Sequence, residues 1–210
     1  MTIWDDIYQN YKQGGEAYAT LRKGLIPEFL EFIKTPDFKV KRVLDIGCGN
    51  GKYLVFLKSL GFKTDGIDSS PTAVEMTKEN LGDDSDIKYV DMYGYDLPAD
   101  RYDLIISIAA IHHGLKEPIR KLIKRIYAAL LPGGYFFTTL PTNEGMKHWT
   151  TMVRHEEIEP GTRIPLSGPE KGLPHSAFTR EELAAMFSEF KEIKTQLLDD
   201  RGRWIIIGEK

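Results

Sequence analysis

Three glycines in five residues, Gly47-Cys48-Gly49-Asn50-Gly51, stand between the β-prone Val43-Leu44-Asp45-Ile46 and the helix-compatible Lys52-Tyr53-Leu54. A strand that passes through a tight glycine turn into a helix belongs to an open α/β sheet, whose ligands sit beyond the carboxyl ends of the strands. Glycine admits positive φ and lets a ligand approach the backbone without a Cβ in the way, so residues 47–51 are candidate binding residues. The spacing is G-x-G-x-G, however, and Lys52 stands where a dinucleotide fingerprint has its third glycine, which disfavours a dehydrogenase. Asp45, two residues ahead of the first glycine, points the same way. A carboxylate there repels a pyrophosphate and attracts a ligand with positive charge.

The strand ends that follow supply polar groups in order. The stretch 63–67 reads as a strand ending in Asp68, about 20 residues past the first glycine, the position of an acid that takes both ribose hydroxyls. Ser69 and Ser70 then precede Pro71, a helix start with a side-chain cap and proline at the first helical position. Ile87-Lys88-Tyr89-Val90 is β-rich and ends in Asp91-Met92, an acceptor and an apolar residue suited to an adenine amino group and ring face. The run 102–111 is nearly all apolar, as a strand buried on both faces is, and ends in His112-His113.

Taken in this order, the motifs resemble those of the class I S-adenosylmethionine-dependent methyltransferases, of the type 11-like kind. The match runs through the glycine turn with Asp45, through Asp68, Asp91-Met92 and Tyr102-Asp103-Leu104-Ile105-Ile106-Ser107 to His112-His113. Leu131-Pro132-Gly133-Gly134 before the strand 135–140 is also similar to the family's approach to its fifth strand. The resemblance is close over residues 40–140 and looser over the helix at Phe178-Thr179-Arg180-Glu181-Glu182-Leu183 and a final hairpin. It implies a Rossmann-like, seven-stranded, mostly parallel sheet with an antiparallel last strand and helices on both faces. It also implies S-adenosyl-L-methionine as cofactor, S-adenosyl-L-homocysteine as product, and cofactor contacts from Asp45, Gly47, Cys48, Gly49, Asn50, Gly51, Asp68, Ser69, Asp91, Met92, Ser107 and Ile108. A weaker resemblance to the tRNA wobble-uridine carboxymethyl methyltransferases rests on the stretches 49–54 and 106–113, which lie in the cofactor half and say little about the acceptor. The expected acceptor is a small molecule, with tRNA modification and a non-catalytic cofactor-binding protein as alternatives.

Bulk properties set limits. The 210 residues, 41% hydrophobic and 28% charged, suit one soluble domain with a full core. A net charge of -3 carries no basic footprint for nucleic acid. Cys48, the one cysteine, has no partner for an internal disulfide, and the acidic, aromatic first residues do not read as a signal peptide, so a cytoplasmic location is expected. The longest apolar run falls far short of the roughly 20 residues of a membrane helix, and no membrane partner is expected.

Residues 1–36 read as a helical lid, in which Tyr8, Tyr11 and Tyr18 are spaced to pack or to close over the cofactor. Arg22 and the basic positions of the stretch 116–125 read as solvated surface. The segment 141–175 is too long for a bare connection between strands and is expected on the acceptor side. Its His155-Glu156-Glu157 lacks a helical pair of metal ligands, and no metal is expected. Cys48 reads as a small residue packed within the turn rather than a nucleophile. Methyl transfer from a sulfonium needs alignment and dryness more than acid-base help. Where a proton must leave, His112 and His113 are the candidate bases, because imidazole titrates near neutral pH.

Overall fold

The computed structural model describes residues 2–15, 24–150, 153–198 and 202–210. Helices α1 (Ile3–Lys12) and α2 (Pro27–Phe32) lead into β1 (Arg42–Ile46), α3 (Lys52–Ser59), β2 (Lys63–Asp68), α4 (Pro71–Leu81), β3 (Asp86–Tyr89), β4 (Tyr102–Ser107), α5 (Lys116–Ala129) and β5 (Leu130–Pro141). The chain continues with α6 (Asn143–Thr150), β6 (His155–Glu159), β7 (Thr162–Pro165), β8 (His175–Ser176), α7 (Arg180–Met186), β9 (Glu192–Leu197) and β10 (Arg203–Glu209). Seven strands form one sheet in the order β3-β2-β1-β4-β5-β10-β9, with β10 antiparallel to both of its neighbours. The pairs β2·β3, β1·β2, β1·β4 and β4·β5 are parallel, so the carboxyl ends of those five strands lie along one edge.

Alternation along the strands divides the core into two layers. Val43, Leu104, Ile106, Phe137 and Ile205 face a layer with α2, α3 and α4, while Leu44, Ile46, Ile105, Phe136 and Ile206 face one with α5 and α7. Burial on both faces is what near-continuous apolar β1 and β4 demand. At the edge remote from the glycine turn, Asp65 is buried but fully answered. Arg42 donates to it from Nε at 2.9 Å and from Nη2 at 3.0 Å, and the Tyr102 hydroxyl donates at 3.0 Å.

Several expectations change. The apolar run 102–111 is a strand only as far as Ser107, because Ala109 takes φ 55° and turns the chain. The fifth strand begins at Leu130, ahead of the glycine pair. Lys116 does not belong to a solvated stripe, since it is buried with Nζ donating to Glu182 Oε1 at 2.6 Å. The segment 141–175, too long for a bare connection, carries α6, β6 and β7 and runs into β8, and the last three form an antiparallel sheet in the order β6-β7-β8. That sheet is tied down where the Ser176 backbone N–H donates to His112 O at 2.9 Å and its hydroxyl to Gly114 O at 2.6 Å. Tyr18, Arg22 and the hairpin residues Asp199-Asp200-Arg201 lie outside the described residues.

Phe29 of α2 is fully buried and meets Tyr53 and Phe137 edge-on with centroids 5.1 Å away in both cases. Phe29→Ala leaves a void between α2 and the sheet and is expected to destabilise the fold by about 3–5 kcal/mol, read as a lowered midpoint in urea at unchanged slope.

Candidate active site

The glycine turn is held from beneath by β2. The N–H groups of Gly47 and Cys48 donate to Ile67 O at 2.8 and 3.1 Å, and the Gly49 N–H donates to Asp68 Oδ2 at 2.9 Å. Gly47 and Gly49 have φ of 76° and 58°, and a Cβ on them would collide with the Ala110 Cβ and the Tyr8 hydroxyl. The turn is therefore a backbone cradle facing a cavity of ≈520 Å³ along the carboxyl edge of the sheet.

Two carboxylates face this cavity. Asp68 is braced, with Oδ2 accepting from Gly49 and Oδ1 from the Ser70 N–H at 2.9 Å. Burial nevertheless raises its pKa, against those hydrogen bonds. Asp45 is 3% exposed and has no side-chain hydrogen bond among the described residues. Burial, aided by the charge of Asp68 and opposed by Lys52, lifts its pKa to about 8. Unlike Asp65, these groups lack an internal cation at hydrogen-bond distance among the described residues, and a buried carboxylate of that kind favours a cationic ligand.

Helix α1 closes over this end. Trp4 and Tyr8, one helical turn apart, both line the cavity. Between them Asp5 docks the helix, with Oδ1 accepting from the Ser70 hydroxyl at 2.9 Å and from the Thr72 N–H at 3.0 Å at the start of α4. Burial pushes the Asp5 pKa up, but hydrogen bonds from Thr72, Ser70 and Gln9 outweigh it and hold the group below the usual carboxylate range.

At the far end of the cavity, the residues after β4 meet the segment 141–175 and the start of β10. Hydroxyls fix this corner: Ser107 Oγ donates to Ile46 O at 2.8 Å, Thr138 Oγ1 to Ser107 O at 2.7 Å, and Thr139 Oγ1 accepts from the Ala109 N–H at 2.9 Å. The rings of His112 and His113 lie with centroids 3.8 Å apart, tilted by 40°, and His175 of β8 stands edge-on to His113 at 4.8 Å. Since a carbonyl can only accept, the 2.9 Å contact of His113 Nδ1 with Ala110 O places the proton on Nδ1 and leaves the Nε2 lone pair toward the cavity side. Trp4 packs against the same ring, centroids 4.6 Å apart. Burial, then neighbouring imidazoles and Arg203, hold His112 and His113 well below the usual histidine range, and burial with Arg203 brings His175 to about 4. All three rings are neutral at pH 7.

Of the residues expected from sequence, Asp45, Gly47, Cys48, Gly49, Asn50, Asp68, Ser69, Met92, Ile108, His112 and His113 line the cavity. Four do not. Gly51 packs on Thr77 and caps α3, and Ser107 is used up in the hydroxyl corner. Asp91 is exposed, its Oδ1 accepting from the Tyr93 N–H at 2.8 Å, so Val90 and Met92 form the wall there. Tyr11 lies one turn beyond Tyr8 and off the cavity. Cys48 is buried with its thiol pushed up by burial, 3.9 Å from Thr77 Oγ1. Trp4, Glu170 and Arg203 were not foreseen.

A comparison with protein families decides the assignment, for residues 18–190 match a family model described as a methyltransferase domain. The chain belongs to this methyltransferase family. It is of the class I, S-adenosylmethionine-dependent kind, and S-adenosylmethionine is the cofactor. The chain is 30% identical over 135 residues to malonyl-[acyl-carrier protein] O-methyltransferase 1 of Ilyobacter polytropus, covering 61% of this chain and 49% of that protein. Over 98 residues it is 32% identical to an uncharacterized methyltransferase of Synechocystis, covering 46% of this chain and 45% of the relative. The chain thus spans about half the length of these relatives. Among solved structures, the PH0226 protein of Pyrococcus horikoshii superposes with a TM-score of 0.75 at 15% identity, over 100% of this chain and 95% of that one. The methyltransferase cofactor carries its positive charge as a sulfonium and an α-ammonium, and Asp45 is a buried carboxyl group beside the glycine turn.

The protonation state of Asp45 gives this a measurable sign. In the ligand-free fold the group keeps a proton up to about pH 8 that the unfolded chain releases near pH 3.8, so its contribution to stability falls as pH rises between those values. Asp45→Asn is expected to remove that part of the decline in melts from pH 5 to 8. Calorimetry should show its affinity for S-adenosylmethionine falling about 10- to 150-fold, the equivalent of one lost charge-assisted hydrogen bond of about 1.5–3 kcal/mol.

Proposed function

We propose that this methyltransferase moves the methyl group of S-adenosylmethionine to an oxygen of a small-molecule acceptor by in-line displacement. The observation that carries the reading is the far end of the cavity, which Met146, Glu170 and His175 of the segment 141–175 line together with Arg203 and His112-His113. A cavity of ≈520 Å³ falls within the roughly 300–1,000 Å³ of small-ligand sites. A splayed nucleotide on a large RNA would need an open, basic approach, and the net charge of -3 does not favour one. The O-methyltransferase name of the relative from Ilyobacter polytropus supports oxygen as the acceptor atom.

In this reading Asp45 takes the methionine ammonium, and the lone pairs that Asp68 does not spend on Gly49 and Ser70 take the ribose hydroxyls. Val90, Met92 and Ile67 face the adenine, and Trp4 and Tyr8 of α1 are the lid. The sulfonium is already a good leaving group, so the protein's contribution is to hold the acceptor in line and to exclude water. His113 faces the acceptor with its Nε2 lone pair, because its Nδ1 proton is committed to Ala110.

Formation of S-adenosylhomocysteine, followed against pooled metabolites and separately against bulk tRNA, tests the acceptor class. Turnover is expected with the metabolite pool, and turnover with tRNA alone would overturn the small-molecule reading. His113→Ala is expected to lower turnover by about a hundredfold or more while leaving the dissociation constant for S-adenosylmethionine nearly unchanged. A variant with wild-type turnover would place the acceptor elsewhere.

A further inference from the structure

The acceptor wall holds more imidazole than proton transfer requires. His112, His113 and His175 come from two segments about sixty residues apart in sequence, and their ligand atoms lie within 4.8 Å of one another. Glu170 joins them, with Oε2 3.4 Å from His175 Nε2 and Oε1 4.0 Å from His113 Nε2. The side chains of His113, His175 and Glu170 are each 7% exposed, and His112 as a residue 1%. The arrangement is built from both sides. His113 donates its Nδ1 proton to a backbone carbonyl, the outer-shell hydrogen bond that fixes the tautomer of a metal-ligating histidine and turns the other nitrogen toward the ion. His175 is set in place by its own strand, since the Ser176 N–H donates to His112 O. His112 Nδ1 is buried with no hydrogen-bond partner among the described residues, so this wall is incomplete without something bound to it.

We propose that His112, His113 and His175 form a binding site for a borderline divalent cation of the zinc class, with Glu170 balancing its charge. Three imidazoles suit Zn²⁺ or Co²⁺ rather than Mg²⁺, which prefers oxygen ligands. Zn–N bonds of about 2.0–2.1 Å place neighbouring nitrogens in a tetrahedron roughly 3.4 Å apart, so small side-chain rotations close the cluster onto an ion. Three protein ligands leave a coordination position open toward the cavity, the pattern of catalytic rather than structural zinc. The proposal deepens the small-molecule reading and rests on it for its chemistry: the acceptor is an oxygen acid or a hydroxyl that binds a metal. On coordination its O–H proton passes to solvent. An oxygen lone pair then forms the O–CH₃ bond as the C–S bond breaks, the bonding pair returning to sulfur to give S-adenosylhomocysteine. Arg203, with Nη2 3.5 Å from His112 Nε2, is the opposing charge, and its removal favours the cation.

The test uses the whole chain with Co²⁺ and Zn²⁺ alone, in the absence of cofactor and acceptor, so that its failure is separate from any failure of the methyl-transfer reading. Wild type is expected to take up one Co²⁺ per chain with the visible absorption of a tetrahedral nitrogen-ligated ion, displaced by Zn²⁺. His175→Ala should abolish stoichiometric uptake, and Glu170→Gln should weaken it by about 10- to 100-fold, as outer-shell losses do. Arg203→Gln should tighten it. The S-adenosylmethionine affinity of each variant, measured on the same samples, shows that the cofactor half remains folded. Absence of stoichiometric uptake by wild type would overturn the proposal whatever the variants do, and so would uptake that survives His175→Ala, which would show an ion held elsewhere.

Discussion

Two buried carboxyl groups with no answering cation at hydrogen-bond distance among the described residues organise the carboxyl edge of this sheet. Asp45 and Asp68 stand at the ends of two adjacent parallel strands, both buried, and among the described residues only the backbone and Lys52 offset them. The contrast with Asp65, equally buried but clamped by Arg42 and Tyr102 at the other edge of the same sheet, shows that the fold can satisfy an internal carboxylate when stability alone is at stake. At the carboxyl edge it does not, and in the proposed reading a cationic ligand supplies what is missing there. Ground-state strain of this kind is common at binding sites, where the partner that relieves it is not part of the chain.

The fold was legible because its signals are local. The glycine turn and the proline after Ser69-Ser70 each act within a few residues, and each sits where the spacing placed it. Where the reading failed, a distant contact had overridden a local preference. The apolar run 102–111 has the composition of a long strand, yet three hydroxyl bonds from β4 and its neighbours stop it at Ser107 and let Ala109 adopt a left-handed turn. Lys116 looked like surface because its partner, Glu182, lies 66 residues away.

The two ends of the cavity differ in the same sense. The end at the glycine turn is built from residues that directly follow strands, so counting along the sequence reaches most of them. Asp91 is the instructive exception, since an aspartate two residues before a backbone N–H can serve its own turn as readily as a ligand. Tyr8 in place of Tyr11 reflects helix geometry: the residue one full turn from Trp4 shares its face. At the other end nothing local marks Glu170, His175 or Arg203, because they reach His112-His113 only through the docking of β8 and the pairing of β10 with β5. Their role was invisible until the sheet order was known.

The five residues from Asp68 to Thr72 serve four roles at once. Asp68 braces the glycine turn, Ser70 caps α4, and Ser70 with Thr72 holds Asp5 of the lid helix, while Asp68 and Ser69 also line the cavity. Occupancy of the cavity and docking of α1 are therefore one linked equilibrium rather than two. A ligand that ordered this corner would also hold α1 in place through Asp5. If α1 is the lid proposed above, the lifting that opens the cavity under Trp4 and Tyr8 also uncovers the His113 ring against which Trp4 packs.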